Sequence, residues 1–262
     1  MSERERYPAG VPCWVTVMRT DPRAAMDFYG PLFGWEPLER PGYVVARLRG
    51  RDVAGVGVLP WPDVAPAWIT QVRVDSAEDA AARARAAGGT VVDGPLDLPP
   101  AGRLAVLADP AGAVFCAWEA AGREGAQLVN EPGAWSMSAL QTHDPEGAIA
   151  FYRAVFGWEP EPFGPATMFR LPGYLGGEPQ QPVPRDVVAV MMPAEPGAPP
   201  RWSVDFWVNA AAATAERAER LGGRVVVPVH EQANFRTAVL ADPEGATFSI
   251  SQLVVEPGAA DS

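Results

Sequence analysis

Two histidines, a few carboxylates and one tyrosine in a glycine-rich stretch are where this chain could do acid–base chemistry. His230 is followed directly by Glu231. An imidazole beside a carboxylate can move protons near neutral pH, which makes the pair candidate catalytic groups. Tyr174 adds a phenol to the same candidate set. The alternative for His230 is a solvated loop side chain. His143 lies next to Asp144 and belongs with a helix cap. All 21 basic residues are arginine. With no lysine, Schiff-base catalysis on a protein amine is excluded. Cys13 and Cys116 form no C-x-x-C pair and read as free thiols. No zinc-protease, nucleophile-elbow, Walker or dinucleotide motif occurs, and Gly55-Val56-Gly57 lacks the third glycine of a nucleotide fingerprint.

The elements that would position such groups come from a duplication. Phe28-Tyr29, followed by Phe33-Gly34-Trp35-Glu36-Pro37, returns 123 residues later as Phe151-Tyr152 and Phe156-Gly157-Trp158-Glu159-Pro160. The same offset relates Asp21-Pro22 to Asp144-Pro145. Further on, Gly88-Gly89 matches Gly222-Gly223 at an offset of 134, so 11 residues are inserted in the second copy. They fall in the stretch from Pro172 to Pro182, whose Gly/Pro content means loop. The loop over 172–186 is either a lid or tolerated surface. The copies span residues 8–124 and 131–255, joined near Gly122 to Gly133.

Each copy reads as strand, helix, two strands, strand, helix and three short strands. The first helix opens on Asp21 or Asp144 with proline at its first position and closes on Gly34 or Gly157. The second opens at Asp75-Ser76 or Asn209 and closes on the Gly-Gly pair. A hairpin follows, turning at Asp109-Pro110 or Asp242-Pro243.

Composition narrows the function classes. The content is 48% apolar and 20% charged, that of a globular protein. No run of apolar residues is long enough for a membrane helix. The charged start Met1-Ser2-Glu3-Arg4-Glu5-Arg6 is unlike a secretory signal, so a cytoplasmic location is expected. A net charge of −11 disfavours nucleic acid as a partner.

The order of these landmarks resembles the vicinal oxygen chelate superfamily, which includes glyoxalase I, extradiol dioxygenases and bleomycin-resistance proteins. The resemblance rests on Asp-x₆-Phe-Tyr-x₃-Phe-Gly-Trp, on the Gly-Gly closing the second helix, and on Gly102-Arg103 through Asp109-Pro110-x-Gly112. It covers residues 10–254. It implies an α+β fold of tandem βαβββ modules whose sheets curl into cups. It also implies a divalent metal held by His on the first strand, His or Glu on the fourth and Glu on the last. Counting seven residues before each cap and seven after each Asp-Pro turn puts those ligands at Trp14, Trp68 and Cys116, then Met137, Trp202 and Ser249. None is His, Asp or Glu, which Zn²⁺, Fe²⁺ or Mn²⁺ would need, so no metal and no cofactor are expected.

Strand alternation from these positions predicts what lines the cups. The ligand-binding candidates are Trp14, Met18, Trp68, Cys116 and Trp118 in the first copy. In the second they are Trp135, Met137, Gln141, Trp202, Phe206 and Ser249. Arg170 and Arg236 join them as ligand clamps, the alternative being an ion pair or backbone brace. Such a lining suits a flat apolar or aromatic molecule, an antibiotic or polyketide-like metabolite; the alternative is that the Trp residues simply plug the cups. Three functions follow, in order. The first is a metal-independent binding protein, for sequestration and resistance or to assist a biosynthetic enzyme. The second is a metal-free cyclase, isomerase or hydroxylase component. The third is a metalloenzyme with relocated ligands, a lyase or dioxygenase. A monomer or homodimer fits all three. Divergence between the copies predicts one specialised cup, the second.

Overall fold

The computed structural model describes residues 3–59, 65–176, 184–232 and 234–254. The chain folds as four βαβββ units. The first comprises β1 (Pro12–Arg19), α1 (Pro22–Phe33), β2 (Glu36–Arg40), β3 (Tyr43–Leu48) and β4 (Arg51–Val58). The second comprises β5 (Ala67–Arg73), α2 (Ala77–Ala86), β6 (Thr90–Leu98), β7 (Gly102–Ala108) and β8 (Val114–Ala120). The second copy repeats both. Its third unit is β9 (Trp135–Thr142), α3 (Pro145–Phe156), β10 (Glu159–Phe163), β11 (Ala166–Arg170) and β12 (Val187–Pro193). Its fourth is β13 (Arg201–Trp207), α4 (Ala211–Arg220), β14 (Arg224–Gln232), β15 (Phe235–Ala241) and β16 (Thr247–Leu253).

Among the described residues each copy therefore has eight strands, one more than the sequence pattern predicts. The missing element is β2 or its counterpart β10. Their sequences, EPLER and EPEPF, carry no apolar alternation because both lie at a sheet edge, where proline is tolerated. The strand orders match, β2-β3-β4-β1-β5-β8-β7-β6 and β10-β11-β12-β9-β13-β16-β15-β14. The α+β class, the tandem organisation and the curled, unclosed sheets are as the resemblance implies.

The first helix of each copy ends as expected. Asp21 caps α1 by accepting from the Arg23 and Ala24 backbone, and Gly34 closes it at φ 76°. The second helices start one residue later than predicted. Ser76, not Asp75, caps α2, accepting from Asp79 N at 3.1 Å. Ala210 stands at the start of α4 with no side-chain cap, and the Ala211 N–H is met by Gln252 Oε1 at 3.0 Å instead. This single-residue difference has consequences for the site.

The backs of the two sheets face each other through the helices. Phe28 and Phe33 of α1 pack on Phe248 and Phe206 of the other copy, and Phe151 and Phe156 of α3 pack reciprocally on Phe115. The sheets also touch directly, Thr70 Oγ1 lying 2.7 Å from Ser138 Oγ. The repeated sequence landmarks meet across this interface. Tyr29 OH donates to Asp242 of the second copy's Asp-Pro turn at 2.6 Å, and Tyr152 OH donates to Asp109 of the first at 3.0 Å. Trp35 Nε1 donates to the Gly133 carbonyl and Trp158 Nε1 to that of Gly10, both at 2.6 Å, which makes these two tryptophans packing residues. Arg19 is fully buried and ion-paired to Asp242 and Glu244, whereas Thr142 holds its place in the second copy. Asp109, with no such arginine, has its carboxyl raised by burial above the usual range.

Candidate functional site

With the backs of the sheets occupied, the opposite faces form the two cups. Cross-strand partners share a face, so register identifies the lining. In the first copy Trp14 pairs with Gln71, Thr16 with Ile69 and Met18 with Ala67, and Gln71 pairs in turn with Cys116. In the second, Met137 pairs with Asp205, Ala139 with Ser203 and Gln141 with Arg201, and Asp205 pairs with Ser249.

This register corrects four predicted ligand contacts. Trp68, Trp202 and Phe206 face the helices, not the cups, and Trp135, which pairs with Phe206 past a bulge, goes with them. Trp68 Nε1 donates to Tyr29 OH at 3.1 Å and Trp202 Nε1 to Tyr152 OH at 2.9 Å, while Phe206 packs on Phe33, Trp35 and Trp68. For Trp68, Trp202 and Phe206 the cause is the cap. Counting seven residues back from Asp75 and Asn209, rather than from Ser76 and Ala210, shifts the strand by one position and exchanges its faces. The corrected positions are Ile69 and Ser203. Beside them on the cup face stand Gln71 and Asp205, which the sequence pattern missed. The Ser76–Asp79 capping signature was the signal that could have found them.

The first cup is closed by its own side chains. Trp14 and Trp118 are 0% and 1% exposed and hold the Arg123 guanidinium between them, 4.6 and 4.5 Å from the ring centroids. Trp118 Nε1 donates to the Arg123 carbonyl at 2.9 Å. Tyr43 OH accepts from Trp14 Nε1 at 2.8 Å and lies 2.9 Å from Thr16 Oγ1, which accepts from Gln71 Nε2 at 3.2 Å. Gly55 makes this possible, since a Cβ there would lie 1.7 Å from the Tyr43 oxygen. That packing explains the glycine at position 55 of Gly55-Val56-Gly57. Cys116 sits beneath it, and burial pushes its thiol up to about 12. For Trp14, Trp118 and Cys116 the plug is what the structure has.

The second cup is lined by smaller or more accessible groups. Met137 replaces Trp14, Ala139 replaces Thr16, and Ala166 replaces Tyr43. Ser203, Asp205, Ser249 and Ser251 replace Ile69, Gln71, Cys116 and Trp118. Gly55, Gly57 and Ala67 change the other way, to Val190, Met192 and Arg201. Met137, Ala139, Gln141, Ser203, Asp205, Trp207 and Ser249 are all partly exposed. The segment corresponding to Arg123 lies beyond Val254, outside the described residues.

Asp205 is the polar centre of this cup. Its Oδ2 accepts from Ser136 Oγ at 2.6 Å and its Oδ1 from Ser251 Oγ at 2.8 Å. Burial raises its carboxyl to about 6, against the opposing effect of those two hydrogen bonds. Among the described residues no cation pairs with it. Where the two copies meet, a hollow of about 60 Å³ is lined by Trp135, Ser136 and Met137, by Val11 and Pro12 of the first copy, and by Tyr174 of the inserted loop. Tyr174 is half-buried, and its phenol is raised by that burial. Residues 177–183 of the loop, and with them much of the predicted lid, lie outside the described residues.

The remaining candidates separate. His230 is on strand β14, not in a loop. Its Nδ1 lies 3.0 Å from the Pro228 carbonyl and its Nε2 3.2 Å from Thr237 Oγ1. Because Thr237 pairs with Ser251, His230 shares the cup face at its far edge. Glu231 alternates to the other face and pairs with Arg236 at 3.4 Å. Arg236 is thus an exposed ion pair rather than a clamp. Arg170 is likewise held by Glu161 and Asp186. Met18 lies on the accessible end of the first cup.

The family's divalent metal does not fit these residues. The corrected positions are Trp14, Ile69 and Cys116, then Met137, Ser203 and Ser249. Among the described residues no group of three His, Cys, Asp or Glu could hold an ion.

Fold and cup geometry together define a tandem member of the vicinal oxygen chelate superfamily, and comparison with known proteins agrees. A family model described as "Glyoxalase-like domain" matches residues 14–118 and again 119–251. The chain belongs to this glyoxalase-like family. It is 36% identical to the "putative glyoxylase CFP32" of Mycobacterium tuberculosis, over 95% of this chain and 97% of that one. It is 32% identical to the "anthracycline biosynthesis protein DnrV" of Streptomyces peucetius, over 95% of each. Among solved structures, the Mn(II)-bound glyoxalase of Novosphingobium aromaticivorans superposes with a TM-score of 0.63 at 18% identity, covering 94% of this chain and 83% of that one. The trihydroxybiphenyl dioxygenase of Sphingomonas wittichii gives 0.60 at 13%, covering 97% and 94%. These two likenesses concern the fold.

Proposed function

We propose that the second cup binds a flat, apolar or aromatic small molecule of the polyketide type, without a metal, either to sequester it or to present it to a biosynthetic enzyme. The observation that carries this reading is the contrast between two cups of one register. One is filled by Trp14, Arg123 and Trp118, and the other is left accessible by Met137, Ala166 and Ser251. A concave face with an apolar lining and a few placed polar groups is the usual form of a small-molecule site. The similarity to a protein named for anthracycline biosynthesis supports a polycyclic aromatic ligand. Trp207, on the accessible face, supplies the readout. Anthracyclines, quinones and flavonoids titrated into the protein should quench its fluorescence and raise its melting temperature, and Trp207→Phe should remove much of the quenching. Unchanged fluorescence and melting across the panel would end the proposal.

A second reading is favoured by one observation. Asp205, raised to about 6 and held by two serines, has the character of a proton-transfer group. On this reading the protein is a metal-independent enzyme on the same class of molecule, with Asp205 as its base and His230 and Tyr174 at the margins. Turnover that survives a chelator and is lost in Asp205→Asn would support it.

A further inference from the structure

We infer that Asp205 anchors a protonated amine on the ligand of the second cup. The inference rests on the reading of that cup as a small-molecule site and goes further by naming the charge the ligand carries. Asp205 sits on β13, in the middle of the strand order, between Met137 of β9 and Ser249 of β16. Its two hydrogen-bond donors, Ser136 and Ser251, are neutral hydroxyls. A carboxylate offers about four acceptor directions, so roughly two remain for a ligand.

The groups facing Asp205 are equally telling. Met137 and Ser136 face it from β9, Ser249 and Ser251 from β16, and Ser203 and Trp207 flank it on its own strand. None of these carries a charge. The nearest imidazole on this face is His230, which is engaged with Thr237 and the Pro228 carbonyl. The chain has no lysine, Arg170 and Arg236 are committed to ion pairs, and Arg201, the cation on this face of β13, is exposed at the start of the strand, four residues from Asp205. A partly buried carboxylate with no counter-charge is unfavourable in the free protein. A ligand cation is what would compensate it.

The first cup shows that the charge is not a requirement of the fold. Gln71 holds the equivalent position there, where it donates to Thr16 inside a sealed interior. Met137 and Trp207 complete a surround suited to an ammonium group attached to an aromatic body, because the sulfur is polarizable and the indole face attracts cations. The net charge of −11 adds a field that favours cationic ligands over anionic ones.

The test compares three anthraquinones that differ only in the side chain: aminoalkyl, hydroxyalkyl and carboxyalkyl. Each is titrated into the full chain near neutral pH. The wild type should bind the amine at least about tenfold more tightly than the alcohol, and the carboxylate most weakly, as a charge-assisted hydrogen bond requires. Asp205→Asn and Asp205→Gln, the latter copying the first cup, should lose that preference, amine and alcohol then binding within about twofold of each other. Equal affinity for amine and alcohol in the wild type overturns the inference and leaves the small-molecule reading of the cup intact. So does a preference that survives in both folded variants. If none of the three binds the wild type, the cup reading fails and the inference with it.

Discussion

Trp14, Gln71 and Trp118 of the first cup stand in register with Met137, Asp205 and Ser251 of the second, yet the two sets make opposite interiors. In the first, indole rings and one guanidinium fill the space, and Trp14, Tyr43, Thr16 and Gln71 are joined in one run of hydrogen bonds. In the second, the same strand positions carry a thioether, a short hydroxyl and a carboxylate, and Met137 and Asp205 stay partly accessible. The backs of both sheets are meanwhile nearly superimposable in chemistry, with Tyr29–Asp242 mirrored by Tyr152–Asp109. The duplication has kept the contacts that hold the copies together and released the cup faces to diverge. One cup now contributes core, and the other is available for a ligand.

The largest expected effect tests the first half of that contrast. Trp118→Ala should destabilise the protein by about 3–5 kcal/mol in denaturant unfolding, because it removes a fully buried indole and unseats Arg123. Met137→Ala, at a half-exposed position, should cost about 1 kcal/mol or less. Similar losses for the two would mean that the second cup is as much a core as the first.

Next in size is the converse exchange. Ser251→Trp copies the first cup's plug into the second and should weaken aromatic-ligand binding by about tenfold or more, a loss of at least ~1.4 kcal/mol. Isothermal titration would register it. Undiminished affinity would place the ligand elsewhere.

A pH effect separates Asp205 from Gln71. Its folded carboxyl lies at about 6, above the ordinary aspartate value of 3.8. Between those values the folded protein binds the proton and the unfolded chain does not, so stability should fall as pH rises from about 4 through 6 and level off above. The expected span is of order 1–3 kcal/mol, and Asp205→Asn should flatten it over that window. Denaturant midpoints measured across the range would show the slope, and a stability that rises over the window would contradict the assignment. The smallest effect expected is from Arg236→Gln, which should leave ligand affinity within about twofold because its partner is Glu231.

Much of this was legible in the sequence, and the failures are physically specific. Helix starts at Asp21 and Asp144, ends at Gly34 and Gly157, and the Asp-Pro hairpins are set by local rules, and all were found. The edge strands β2 and β10 were not, since exposed edges leave no alternation to detect. On β13, placing the helix start at Asn209 instead of Ala210 moved Trp202 and Phe206 into the cup and Asp205 out of it. A period of two has no tolerance for a one-residue error. The closing role of Arg123 was also beyond reach, because it comes from the connecting segment and depends on a fold-back that no local pattern encodes.

The most direct test of the account is a crystal structure of the protein with an aminoalkyl anthraquinone bound. The ligand should lie in the second cup with its nitrogen against Asp205, and Arg123 should remain between Trp14 and Trp118. A ligand seated between those two tryptophans, with Arg123 displaced and the second cup empty, would contradict it.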